Sequence, residues 1–141
     1  MKERDVLRAV CKINAEHFGS DDAYSDIGEI LKLMRFDGGG YFTYEVDGKV
    51  VAYLIYQEKE DSVHCVRRGV THGCQKTGLG LKLTKQCIKL AHSKNKAYRT
   101  YCAHDNLASI NSNIKCGCRV YGIDDWWIKL EKKPTAPKKS S

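Results

Sequence analysis

The segment Val70-Thr71-His72-Gly73-Cys74-Gln75-Lys76-Thr77-Gly78-Leu79-Gly80 constrains this chain more than any other. An apolar strand pattern ends at Val70, and a helical pattern starts at Leu79. Between and at that start stand a glutamine and the glycines Gly78 and Gly80. Glycine lets a backbone approach a ligand without interference from Cβ, and successive amides in such a turn converge on one anion. The helix that follows aims the positive end of its dipole at the same point. The spacing reads as a phosphate cradle, and it excludes two common ones. A P-loop needs Lys and then Ser or Thr after its second glycine, where Leu79 and Gly80 stand here. A dinucleotide fingerprint needs a third glycine that does not follow Gly78-Leu79-Gly80.

A chain of 141 residues has room for one domain with a substantial core. Its 42% hydrophobic and 29% charged residues are those of an ordinary globular chain. No apolar run reaches the roughly 18 residues of a membrane span. Met1-Lys2-Glu3-Arg4-Asp5 lacks the apolar core of a signal peptide, so a cytoplasmic location is expected. Seven cysteines, an odd number scattered through apolar segments, read as reduced and mostly buried thiols rather than a disulfide framework. His72-x-Cys74 and Cys116-x-Cys118 lack the usual two-residue ligand spacing of zinc sites, and no metal is expected. The net charge of +7 owes four charges to Lys132, Lys133, Lys138 and Lys139. Residues 132–141 therefore read as a basic, disordered tail behind a domain at 1–131. Without an aromatic and basic stripe, nucleic acid is not the expected partner, whereas a mildly positive field suits an anionic cofactor.

Apolar spacing predicts a helix over residues 3–18, then a second helix capped by Ser25 and buried through Ile27, Ile30, Leu31 and Met34. Gly38-Gly39-Gly40 ends it. Strands are predicted at 41–46 and 49–58 around the hairpin signal Asp47-Gly48, and at 62–70. After the loop, Leu79, Leu83, Cys87, Leu90 and Ala91 mark an amphipathic helix closed by Lys94-Asn95-Lys96. A strand at 97–103 follows, then a short helix with Asn106 at its start and Gly117 at its end, then two strands around Asp124-Asp125, the last over 126–131. A strand, glycine loop, helix and strand in that order make a parallel crossover the default.

Gln75-Lys76-Thr77-Gly78-Leu79-Gly80 resembles the pyrophosphate loop of the GNAT N-acetyltransferases, Gln/Arg-x-x-Gly-x-Gly/Ala, and Val70 matches the valine of the preceding strand. A second feature agrees in order and spacing: Asn106, Ser109, Lys115 and Gly117 follow that family's Asn-x-x-Ala/Ser and Lys-x-Gly pattern. The resemblance spans residues 5–131. It implies a mixed α/β fold with a largely antiparallel sheet splayed between the 62–70 and 97–103 strands. It also implies acetyl-CoA as co-substrate, an amine acceptor and direct transfer in a ternary complex. By the same resemblance the amides from Gln75 to Gly80 (Gln75, Lys76, Thr77, Gly78, Leu79, Gly80) hold the coenzyme A pyrophosphate, Lys76 adding charge. Val70 offers backbone groups to the pantetheine arm, Asn106 hydrogen-bonds it, and Ser109 reaches a phosphate.

The chain departs from the family pattern in two places. Only Met1 to Glu3 precede the first helix, so the usual first strand is missing or vestigial, and the altered edge makes a homodimer a candidate. The tyrosine that protonates the departing thiolate in many members is replaced by Asn113, and an amide is no general acid. Candidates for the acid-base work are His104, Glu45 and Tyr101, with Glu58, His72 and Asp105 also at strand ends. His104 is equally a surface histidine at a strand terminus, Tyr101 an ordinary sheet aromatic, and Glu45 a solvated hairpin residue. Asp21, Asp22 and Asp26 lie in a loop suited to a cationic acceptor, or simply to solvent. Two rival readings stand beside the enzyme: a non-catalytic acyl-CoA-binding or protein-interaction domain, and a small basic nucleic-acid binder resting on the tail.

Overall fold

The computed structural model describes residues 2–18, 27–35, 38–74 and 77–135. Two helices open the chain, α1 (Glu3–Phe18) and α2 (Ile27–Arg35). Val6, Val10 and Ile13 recur at helical spacing in α1, as Ile30 and Met34 do in α2, and all five are buried. The expected cap Ser25 and the acidic loop of Asp21, Asp22 and Asp26 lie outside the described residues. The hairpin of β1 (Gly39–Val46) and β2 (Lys49–Glu58) turns on Asp47 at φ 51° and Gly48 at φ 77°. Two consecutive left-handed residues are what a two-residue turn matched to strand twist requires. There follow β3 (Ser62–Val70), a short 3-10 turn (His72–Cys74), α3 (Leu79–Ser93), β4 (Ala97–Ala103), α4 (Leu107–Lys115), β5 (Arg119–Ile123) and β6 (Trp127–Lys132).

Two boundaries differ from the sequence reading. The glycines expected only to end α2 also begin β1, because Gly40 pairs with Tyr56 and a Cβ there would stand 2.3 Å from the tyrosine Oη. Strand β6 begins at Trp127 rather than Trp126. The Asp124 carboxylate accepts hydrogen bonds from the N–H groups of Trp126 (3.1 Å) and Trp127 (2.9 Å), holding Trp126 in the turn.

The strands form one sheet in the order β1-β2-β3-β4-β6-β5, antiparallel everywhere except between β3 and β4. No strand precedes α1 among the described residues, as the sequence reading expects. The two sheet faces follow the period of two in β2. Tyr53 and Ile55 pack beneath α1 and α2, while Ala52 and Leu54 join Leu79, Leu83, Cys87, Ala91, Tyr98 and Leu130 beneath α3. None of the seven cysteines forms a disulfide, and six are buried. Among the described residues no helix is long and apolar enough to cross a membrane.

The feature that positions the site is where β3 leaves β4. Their parallel register runs from Ser62↔Ala97 to Cys65↔Thr100 and stops, although β3 continues against β2 to Val70 and β4 against β6 to Ala103. On the β2 side the register shifts at the same place, Tyr56 facing Cys65 and Ile55 facing Arg67, so Val66 is an extra residue. A bulge bends its strand and increases the local twist. The sheet opens between β3 and β4 from that point on.

Candidate functional site

The N-terminus of α3 lies at the mouth of this opening. Gly78 is its cap residue, held at φ 82° and ψ 9°, and it has no side chain with which to cap the helix. A Cβ on Gly78 would meet nothing within 4 Å, so the demand for glycine comes from the left-handed backbone and not from crowding inside the protein. The first turn carries no acidic residue. Its orphan amides and dipole are thus available to an anion. Leu79 is buried in the core and anchors the turn, while the Thr77 hydroxyl donates to the carbonyl of Cys74. A Cβ on Gly80 would lie 3.6 Å from the Arg68 guanidinium carbon and 3.7 Å from Val70 Cγ2, so this turn packs directly on the end of β3. Gln75 and Lys76 lie outside the described residues. Helix α1 braces the segment from the other face: the Glu16 carboxylate accepts from the Thr71 hydroxyl (3.0 Å) and the His72 N–H (3.2 Å).

Helix α4 forms the opposite wall. Its cap is Asn106, whose Oδ1 accepts the Ser109 N–H at 3.2 Å, so the cap role expected of Asn106 is observed. Ser109 Oγ stands 3.3 Å from Cys102 Sγ on β4. Burial raises the pKa of the Cys102 thiol, a shift opposed by the Ser109 hydrogen bond and the nearby Arg68 charge. Asn113, at the position of the expected proton donor, is buried and turned toward the core. Its Oδ1 accepts from Tyr98 Oη (3.1 Å) and its Nδ2 donates to the Ser109 carbonyl (2.8 Å). Between the two walls lies Arg68 of β3. Its guanidinium donates to Thr84 Oγ1 (2.5 Å) and the Gly80 carbonyl (3.3 Å) on α3, and to Ser112 Oγ (3.3 Å) and Ser109 Oγ (3.4 Å) on α4.

The acid-base candidates are dispersed. His104 is exposed immediately after β4, its N–H bonded to the Trp126 carbonyl (3.0 Å) and its ring 6.1 Å from the Trp126 ring. Asp105 follows it, also exposed. Tyr101 is exposed on the sheet face opposite Cys102, edge-on to His64 at 4.6 Å and with Lys129 Nζ 5.2 Å from its ring centre. Glu45 sits exposed beside the Asp47-Gly48 turn, on a strand separated from β3 by β2. Glu58 lies at the other end of the sheet, opposite Val63, and does not face the opening. Lys94 and Lys96 bind its carboxylate and lower its pKa, so it is a structural ion-pair residue.

Sequence reasoning missed Arg68, Thr84 and Ser112. The signal was present for the arginine: Arg68 has the same strand parity as the core-packing Val70, and a charge in that position contradicts the apolar pattern.

A sheet opened between two parallel strands, with a glycine-capped helix N-terminus at its mouth, defines a protein suited to an extended ligand bearing an anion. A profile of the Acetyltransferase (GNAT) family matches residues 7–117, and the chain belongs to that family of acyl-CoA-dependent acetyltransferases. Solved structures of the same fold agree. A Pyrococcus horikoshii OT3 protein is 17% identical, with 96% of this chain and 95% of that one covered, at a TM-score of 0.80. The ribosomal-protein-S18-alanine N-acetyltransferase of Escherichia coli is 17% identical over 100% of this chain and 96% of that one, at 0.78. The PaiA N-acetyltransferase of Thermoplasma acidophilum, solved with coenzyme A, is 13% identical over 92% and 91%, at 0.73. No curated protein sequence matches this chain. At such identities the structural likeness speaks to the fold alone.

Proposed function

We propose that this protein is an acetyl-CoA-dependent N-acetyltransferase that moves an acetyl group to a primary amine, on a small molecule or a protein, by direct attack in a ternary complex. The observation that carries the reading is the coincidence of the glycine-capped α3 N-terminus with the opening between β3 and β4, in a chain of this family. The neighbour solved with coenzyme A and the ribosomal-protein-S18-alanine N-acetyltransferase support it. Acetyl-CoA supplies the activated acyl group. The amides of Gln75 to Gly80 receive its pyrophosphate, with Lys76 as a counter-charge and Gly78 keeping the approach open. Val70 lines the β3 side of the opening, and Asn106 and Ser109 line the α4 side. His104, directly after β4 at the end where that strand has parted from β3 and beside Trp126, is the base for the acceptor ammonium.

The inward turn of Asn113 favours one rival, a domain of the same fold that binds acyl-CoA without turning it over. A thiol-release assay separates the two. Purified protein with acetyl-CoA is offered a polyamine, an aminoglycoside, a lysine peptide and a peptide with a free N-terminus. Amine-dependent release of coenzyme A thiol is expected with at least one class. Binding of acetyl-CoA with no release on any of them would leave the non-catalytic reading.

A further inference from the structure

Arg68 stands out among the arginines of this protein. Arg67 and Arg99 are also half-buried, and each lies beside carboxylates: Arg67 beside Glu29, Arg99 beside Glu131 and Asp61. Arg68 makes no ion pair with a carboxylate among the described residues; its hydrogen-bond partners there are three hydroxyls and one carbonyl. Withdrawing a guanidinium from water without a counter-ion is unfavourable, and hydroxyl dipoles compensate it only in part. Its location gives the charge a use. Gly80 and Thr84 are one helical turn apart on α3, so a group bonded to both lies about 5 Å inward of the helix tip where an anion would rest. Ser109 and Ser112 reach it from α4, and Arg68 itself projects from the part of β3 beyond the last β4 pair. A chain running from the α3 tip into the opening passes this guanidinium. The environment there already accepts sulfur, since Cys102 Sγ is 3.3 Å from the same Ser109 Oγ. Asn113, at the position of the family's proton donor, is an amide that cannot supply a proton, and it is occupied with Tyr98 and the Ser109 carbonyl.

We infer that Arg68 is the catalytic cation of acyl transfer, binding the coenzyme A sulfur as its negative charge develops and standing in for the missing proton donor. The inference rests on the proposed coenzyme A site. The acceptor nitrogen bonds to the acyl carbon and gives up its proton to the base. The carbon–sulfur bond breaks, and its electron pair stays on sulfur as a thiolate. The Arg68 guanidinium neutralises that thiolate, which takes a proton from water on leaving.

A cation that stabilises the thiolate must lower the pKa of the coenzyme thiol in the complex, whether or not turnover occurs. A bridge that only ties α3 to α4 would not. The test titrates the thiol of protein-bound coenzyme A by thiolate absorbance and compares it with free coenzyme A. The expected result is a bound thiol titrating about 1 to 3 pH units lower. Arg68→Gln should return it to the free value and cut the rate of thiol release by about 10-fold or more, while Arg68→Lys keeps part of both. Circular dichroism confirms that each variant is folded, and the wild-type titration decides the matter even where a variant is not. A bound thiol titrating like free coenzyme A in the wild-type protein overturns the role of Arg68 and leaves the coenzyme site standing. Failure of the wild-type protein to bind coenzyme A overturns both.

Discussion

Replacing Asn113 by Ala tests whether the residue in the proton-donor position serves the fold instead of the chemistry. Asn113 is 2% exposed and Tyr98 1% exposed, and the Tyr98 hydroxyl donates to the Asn113 carbonyl at 3.1 Å. Removing the amide leaves that phenol without this acceptor in a buried site, which costs about 1–3 kcal/mol, and the small cavity adds about 1 kcal/mol more. A total near 3 kcal/mol is a large share of the stability of a domain this size. Tyr98→Phe alone should cost about 1 kcal/mol, and the double variant should be less destabilised than the sum by about 1–2 kcal/mol, because the second change removes the orphaned hydroxyl. Urea unfolding of the four proteins measures the cycle. Additivity within about 0.5 kcal/mol would refute a buried Tyr98–Asn113 bond. Under the same reasoning, folded Asn113→Ala keeps the pH profile of thiol release, since its side chain faces the core.

Two further outcomes follow from local geometry. Gly78→Ala should cost about 1–2 kcal/mol from its left-handed backbone alone, with Gly78→Asn recovering part of it, because the added Cβ meets no protein atom; equal stability of all three in thermal melts would contradict the assigned backbone. Burial, helped by the charges of Lys59 and Arg99, holds His64 at a pKa of about 4, against 6.5 for an exposed histidine. The unfolded chain then binds a proton that the folded one refuses. Stability is therefore complete above about pH 6.5 and falls by up to about 3 kcal/mol as the pH drops toward 4. His64→Gln should flatten that slope in acid unfolding curves, and an unchanged slope would count against a neutral buried histidine.

The elements were legible because local chemistry and tertiary need coincide in most of them. Asp47-Gly48 supplies two left-handed residues where the hairpin turns, Asn106 supplies the cap of α4, and the apolar spacing of α1 and α3 matches the faces they bury. Strand starts were less legible. Gly40 looks like a terminator in sequence, yet it belongs to β1 because the Tyr56 ring occupies the space of its Cβ. The glycine loop announced a left-handed cap and a helix start through spacing alone. What stayed hidden depends on long-range meetings. Arg68 acquires its meaning only when Thr84, Ser109 and Ser112 arrive from two helices. Glu58 looked like a strand-end carboxylate facing the opening until the register placed it at the other end of the sheet, held by Lys94 and Lys96.

The most direct measurement is a calorimetric titration of the protein with acetyl-CoA, repeated with Gly78→Glu, which puts bulk and negative charge over the α3 N-terminus. Micromolar binding by the wild-type protein, lost in a variant that circular dichroism shows to be folded, is the result expected of an acyl-CoA site at the mouth of the β3–β4 opening. Undiminished binding by Gly78→Glu would move the cofactor elsewhere, and no binding by the wild-type protein would contradict the acetyltransferase reading itself.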